Sequence, residues 1–312
     1  IYLFVKKHAP KNKRLLWLFP SLVLFNPVFI FHSSLWGQID TLVLFFVLAS
    51  SYLLLFTKKY IFAMIVFTLS ILLKPTPLVF APVFIMYILK KYGVRKTMEA
   101  FFYSTIVFYI SFIPFFQKGN FLLYPWQTYY FKIIEAQSLS YVTNGALNFW
   151  ALLVGLQKGV TDTTPFFLNI PYRVWGYILV GLFSVSVCWK FIRSKITPQN
   201  FFIACFLISS FAVLFLTKMH ERYTLLPLPF LLLYSINRLK DLRWYGAFSF
   251  LSLVNHYHSW SVPNIEFIRY AVTIPQIERL LSGLYIVLFL FLAKKTLYNK
   301  GHATYRRPTT PL

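Results

Sequence analysis

The chain has 312 residues, of which 58% are hydrophobic and only 12% charged, and its mean hydropathy is +0.63. A soluble domain carries about a quarter charged residues, so this composition excludes an ordinary water-soluble protein. The net charge of +23 suggests nucleic acid, but the basic residues lie in short clusters between apolar runs, which excludes that reading as well.

In chain order, "IYLFVKKHAPKNKR" reads as the end of one span entering a basic loop. It has neither an initiator Met nor a signal peptide ahead of it. The chain is therefore expected to lack its N-terminal span or spans and the first outer loop. Apolar runs then follow at residues 15–31, 41–56, 60–74, 75–89, 100–116, 173–191, 200–217, 223–237, 244–258 and 279–293. The clusters between them are Lys6, Lys7, Lys11, Lys13 and Arg14; Lys58 and Lys59; Lys90, Lys91, Arg95 and Lys96; Lys190, Arg193 and Lys195; Arg238, Lys240 and Arg243; and Lys294, Lys295, Lys300, Arg306 and Arg307. Two spans' worth of apolar chain separates consecutive clusters, so all can share one side of a membrane, as cytoplasmic loops do. The expectation is an all-α polytopic membrane protein of about ten segments, one domain over 1–312, with outer-side loops. Several runs fall short of the ~20 residues of a straight span, so some are broken or paired inside the protein. Cys188 and Cys205 fall within spans and read as core residues. There is no metal-ligand pattern and no Gly-rich phosphate loop.

With the clusters inside, most of the eight acidic residues fall outside: Asp40, Glu135, Asp162, Glu221, Glu266 and Glu278. Glu99 and Asp241 stay with the clusters. A charge at helix-centre depth costs roughly 2.5–3.5 kcal/mol on insertion scales, so charges bordering apolar runs require a reason. Lys74 in "LLKPTPLVFAP" either reaches outer headgroups or faces a hydrated cavity and holds an anion. Pro75, Pro77 and Pro82 predict a bent backbone there, tolerated only when buried or lining a cavity. In "KMHERY", Glu221 and Arg222 are either an ion pair or a phosphate site. In the second case Arg222 supplies its planar fork, His220 donates a hydrogen bond or proton, and Glu221 orients the arginine. Asp40 alone fits a helix N-cap. Trp36 and Gln38 just before it add an aromatic face and an amide, the groups that grip a sugar. The same vocabulary returns in Tyr124, Trp126, Gln127, Asn144, Asn148 and Trp150. His256 and His258 also belong to this outer set.

These stretches, "NPVFIFHSSLWGQIDTLVLFF", "LLKPTPLVFAPVF", "TNGALNFWALL" and "LTKMHERYTLLPLPFLLL", resemble bacterial membrane glycosyltransferases of the GT-C fold. More narrowly they resemble the group related to the second mannosyltransferase of GPI-anchor synthesis. The resemblance runs from about residue 26 to 237, and "WGQID" and "HERY" are its most specific parts. It implies transfer of one sugar, often mannose, from a polyprenyl-phosphate carrier to a glycan, lipid or protein acceptor. The reaction would lie on the outer face of the plasma membrane in a bacterium, or on the lumenal face of the ER in a eukaryote. It also implies an essential acid in the first outer loop, expected to precede this chain. Arg222, Lys74 and Lys218 are the expected phosphate-binding residues. Asp40, His220 and Glu221 are the expected catalytic set, and Trp36, Gln38, Asn144, Asn148 and Tyr223 the expected sugar or acceptor contacts. The partners are the lipid-linked donor, the acceptor and the bilayer, with no nucleic acid. No cofactor is identified, and dependence on a divalent metal stays open. The alternative class is a transporter or flippase of lipid-linked sugars, against which stand the missing internal repeat and the one-sided site.

Overall fold

The computed structural model describes residues 1–131, 139–156 and 159–298. Glu135, Lys300, Arg306 and Arg307 lie outside the described residues. The chain begins with α1 (Tyr2–His8) and α2 (Lys13–Leu24). Asn12 caps α2 by accepting a hydrogen bond from the Leu15 amide at 3.1 Å. The short α3 (Pro27–Ile30) has Asn26 as its cap and proline at its first position, and continues into a π-helical turn at Phe31–Leu35. The apolar hairpin α4 (Asp40–Phe56) and α5 (Tyr60–Leu73) follows. A 3₁₀ turn at Thr76–Phe80 leads into α6 (Ala81–Tyr92) and α7 (Val94–Phe112).

The middle of the chain is less regular. It holds α8 (Tyr124–Tyr129), the two-residue β1 (Thr143–Asn144) and α9 (Phe149–Val154). Two long helices come next, α10 (Tyr172–Arg193) and α11 (Pro198–Phe215), then β2 (Met219–His220) and a 3₁₀ turn at Glu221–Leu225. The chain ends with α12 (Leu228–Tyr234), α13 (Leu242–Ser259), α14 (Glu266–Val272) and α15 (Pro275–Tyr298).

The ten apolar runs all fall on helical segments, but only part of them have spanning length. Among the described residues, four segments are long and apolar enough to cross a membrane: Val94–Phe115, Tyr172–Arg193, Pro198–Phe215 and Pro275–Leu297. Lys13–Leu24 with Pro27–Leu35, bent by 45°, makes a fifth if the pair is one span. Proline explains part of the shortfall, because it removes a backbone donor and clashes with the preceding turn. Pro75 and Pro77 leave a 3₁₀ turn ahead of α6, and Pro227 separates the Glu221 turn from α12.

Side-chain burial separates the lipid-facing helices from the central one. The spanning windows of α7 and α10 are 17% buried, whereas that of α11 is 72% buried. Phe201 through Phe215 of α11 are all buried, and the helix packs against α6, α9, α10, α12 and α15. Exposed Phe101, Phe102, Ile110, Leu182 and Trp189 are what acyl chains require of an outer surface. The protein is an integral membrane protein.

The two ends of the helices differ. At the basic end Lys90 donates to the carbonyls of Phe191, at 3.1 Å, and Ser194. Lys190 donates to the carbonyl of Thr296 at 3.0 Å, so cations satisfy the last carbonyls of helices. Lys295 also meets Asp241 at 2.6 Å. The opposite end gathers the N-terminus of α4, the C-termini of α5, α11 and α13, and the start of α10. There β1 and β2 pair in parallel, Thr143 with Met219 and Asn144 with His220.

Candidate active site

Asp40 is the first residue of α4, with Ile39 as the cap, and its side chain caps nothing. The capping reading is therefore replaced. The carboxylate has no exposed surface and forms an ion pair with Lys74 through Oδ1, while Oδ2 faces His32 Nε2 at 3.4 Å. Lys74 reaches it because α5 stops at Leu73 and the residue before Pro75 is driven into extended geometry, φ −161° and ψ 139°. Its side chain is 17% exposed and lies over the Tyr223 ring at 5.0 Å. Lys74 is thus held inside the protein rather than reaching for headgroups.

His32 comes from the π-helical turn, a geometry that frequently marks functional sites. Its Nδ1 lies 3.1 Å from His256 Nε2, and His256 Nδ1 lies 2.8 Å from the carbonyl oxygen of Ser252. Both imidazoles are fully buried. Asn26 clamps the two elements together, donating to Tyr245 Oη at 2.7 Å and Ser249 Oγ at 2.9 Å on α13.

The "HERY" residues sit beside this chain. Arg222 Nη1 donates to Gln38 Oε1 at 3.3 Å, so Gln38 rather than Glu221 orients the guanidinium. Glu221 points instead toward Gly145, where an added Cβ would come within 2.6 Å of its Oε2 and 2.9 Å of Ser259 Oγ. Gly145 also has φ +90°, so this position requires glycine twice over. Burial pushes the Glu221 carboxyl above its ordinary range. His220 has Nδ1 3.9 Å from Glu221 Oε2. Burial, then the charges of Arg222 and Lys74, holds the His220 imidazole down at about 4. It is therefore neutral at physiological pH.

A cavity of about 1060 Å³ opens next to these groups. Its polar end is formed by Asp162, Arg173, Lys218 and Tyr223, and its apolar flank by Val180, Ile208, Val213 and Leu226 of α10, α11 and the turn before α12. Lys218 faces Asp162 at 3.5 Å. Tyr223 belongs to both regions, since its ring lines the cavity and carries Lys74 on its face.

The structure brings Trp36, Gln38, Asp40, Lys74, His220, Glu221, Arg222 and Tyr223 to one end of the bundle. Of the sequence-nominated residues, Lys218 and Tyr223 line the cavity itself. Asn144 is pinned in β1, donating to the carbonyls of Leu139 and Lys218 at 3.2 and 3.4 Å. Asn148 is fully buried and its Oδ1 caps α9 by accepting from the Ala151 amide at 3.0 Å, while its Nδ2 has no hydrogen-bond partner among the described residues. Trp150, also buried, donates to the carbonyl of Phe215 at 2.9 Å and is a core residue rather than a sugar platform. Trp126 is exposed and donates to Tyr109 Oη at 2.8 Å. Trp36 stacks on Trp260, centroids 5.7 Å apart and planes 9° from parallel.

Sequence reasoning missed His32, Arg173 and the partnership of His256. A histidine eight residues before Asp40 in an apolar run was a usable signal; Arg173 looked like any helix flank. Among the described residues no group of three or more His, Cys, Asp or Glu side chains is arranged to hold a metal ion.

An apolar helical bundle with a cluster of paired charges at one end and a part-polar, part-apolar cavity beside it defines an integral membrane protein with a candidate site at that end. Comparison with known families narrows this to a membrane glycosyltransferase. The chain belongs to glycosyltransferase family 87, whose profile matches residues 1–217. No curated protein matches the chain. The match includes His32, Asp40, Lys74 and Arg173, and ends just before Lys218.

Proposed function

We propose that this glycosyltransferase moves a single sugar, mannose by resemblance, from a polyprenyl-phosphate carrier to a glycan, lipid or protein acceptor. We place the reaction on the membrane face opposite the basic clusters. The observation that carries this reading is the cavity, with an apolar flank suited to a lipid chain and Arg173 and Lys218 at its polar end. It adjoins, through Tyr223, the cluster of Lys74, Asp40, Gln38 and Arg222. The GT-C fold and the relation to the GPI mannosyltransferase belong to this same reading.

The chemistry follows from the charges. Breaking the bond from the anomeric carbon to phosphate passes through an oxocarbenium-like state, with negative charge growing on the leaving phosphate oxygen. Cations already in place, partly out of water, stabilise that oxygen without reorganising. Arg222 and Lys74 supply them at one side, Lys218 and Arg173 at the other. The acceptor hydroxyl attacks the anomeric carbon and loses its proton to a carboxylate. Glu221, raised by burial, suits that task nearer neutral pH than an ordinary glutamate would. Neutral His220 serves as a hydrogen-bonding partner, and Trp36 with Trp260 offers a stacking face for the sugar ring.

The test is sugar transfer from radiolabelled polyprenyl-phosphate mannose in membranes carrying the protein or its Arg222→Ala variant. Transfer that disappears with Arg222 supports the donor and the class together. No transfer, combined with flipping of the labelled lipid across proteoliposomes, would overturn the enzyme reading in favour of a transporter.

A further inference from the structure

The contacts of Asp40, His32 and His256 determine how many protons the three side chains hold. His256 Nδ1 faces the carbonyl oxygen of Ser252, which can only accept, so Nδ1 carries a hydrogen. His256 Nε2 and His32 Nδ1 are 3.1 Å apart, and this contact needs one hydrogen between them. His32 Nε2 and Asp40 Oδ2 face each other at 3.4 Å, in side chains with no exposed surface, and neither atom has a hydrogen-bond partner. This contact needs a hydrogen too. Two neutral imidazoles and a carboxylate supply only one hydrogen for the two contacts once Nδ1 of His256 has taken its own. One contact would then be lone pair against lone pair, between side chains with no exposed surface.

We propose that Asp40, His32 and His256 hold one extra proton in common, so that Lys74 keeps its charge for an anionic ligand although it is paired with Asp40. The arrangement is the same whether the proton is written on His32 or on His256, since each form keeps one hydrogen in each contact. The Lys74 ammonium on Oδ1 places the proton on the imidazole side. The carboxylate and the imidazolium then cancel, and the positive charge of Lys74 is left over.

Of the charged groups around His256, Asp40 favours the extra proton and Arg222 opposes it, so the shared proton rests on the contacts. Lys74 comes from the end of α5. Arg222 acts on Lys74 and His256, and Glu221 acts on Lys74, both from the 3₁₀ turn. Asp40 in turn acts on His220 and Tyr223. Without the shared proton the Lys74–Asp40 pair would be neutral. With it, two cationic charges border Tyr223, which suits a phosphate. His32 and His256 are accordingly positioning residues that act through Asp40 and Lys74. The use of that charge rests on the donor reading given above; the proton itself does not.

The experiment is nitrogen NMR of the full chain in detergent micelles, labelled with ¹⁵N-histidine. A neutral imidazole shows one protonated and one bare nitrogen at about pH 7.5, and an imidazolium shows two protonated ones. Among the six histidines, signals are assigned by single His→Asn variants. An imidazolium that vanishes in His32→Asn and in Asp40→Asn, with the remaining histidine signals in place, is the expected result. A bare nitrogen on both His32 and His256 in the unmodified protein would overturn the shared proton, whatever the protein transfers. Where transfer is measurable, His32→Asn should raise the KM for the lipid-phosphate donor about tenfold, more than it lowers kcat. An unchanged KM alongside the expected spectrum would overturn the link to Lys74. A protein that transfers nothing would defeat the donor reading and leave the spectrum to decide on the proton.

Discussion

Two lysine–aspartate pairs stand at the same end of this molecule and behave differently. Asp40 is fully buried and is approached by Lys74 on one oxygen and His32 on the other. Asp162 is 3% exposed and faces Lys218 at 3.5 Å, with the lysine 27% exposed on the wall of the cavity. The first pair is largely buried and held from both sides; the second opens onto space a ligand can fill. The same two residue types thus give a fixed source of field in one place and an accessible contact in the other. The difference comes from the elements behind them. Asp40 and Lys74 sit at the ends of two helices packed as a hairpin, whereas Lys218 has a left-handed φ of +61° in the connection between α11 and β2.

The comparison breaks or sharpens most at Asp40. Asp40→Asn leaves a buried ammonium without its counter-ion, which costs about 3–5 kcal/mol in comparable sites. Thermal unfolding in detergent should show that loss, whereas Asp162→Asn should unfold nearly as the parent does. Next comes Arg222→Ala, expected to lower transfer on the order of 10²-fold, as loss of one preorganised donor does elsewhere. Arg222→Lys should recover only part of it, because the fork is lost. Full turnover in both variants would remove Arg222 from the site.

Gly145→Ala is expected to cost about 1–3 kcal/mol, since the new Cβ has a wrong backbone region and meets Glu221. Unchanged stability would show that Glu221 is free to move away. A smaller effect concerns His220. Its imidazole is held down at about 4, so the unfolded chain binds the extra proton more readily than the folded one between roughly pH 6.5 and 4. Stability should therefore fall as pH drops through that window, and His220→Gln should flatten the fall. Transfer should show no inflection near pH 6.5 from this residue. Smallest of all, Lys90→Ala at the basic end should shift stability by only about 0.5 kcal/mol, and should leave donor affinity alone.

Several residues of the candidate site were legible before any fold was known, and for a physical reason. Lys74, Glu221 and Arg222 are charges beside apolar runs, and a membrane makes such charges expensive enough to stand out. Asp40 stood out in the same way, but its task did not: it looked like a helix cap and is instead the hub of an ion pair and a histidine chain. His32 carries no obligatory charge and was passed over. Trp150 has the composition of a sugar site and is consumed by a carbonyl in the core, and Asn148 gives its Oδ1 to a helix cap. Residue type told where polar groups were needed, and burial then separated those spent inside the fold from those at the candidate site.

Composition and period by themselves determined that this is a helical membrane protein, with basic residues at one end of the helices and the costly acids at the other. Those properties depend on local hydrophobicity and on the sum of charges, which need no partner to be read. Tertiary structure decided the rest. Proline turned several expected spans into short, broken helices. Packing brought α3, α4, α5 and α13 together so that His32, Asp40, Lys74 and His256 meet across 224 positions of chain. It also opened a cavity beside Tyr223 that no single segment encodes. Contacts of that kind depend on which helix ends converge, and a linear pattern of apolar and polar residues leaves that choice open.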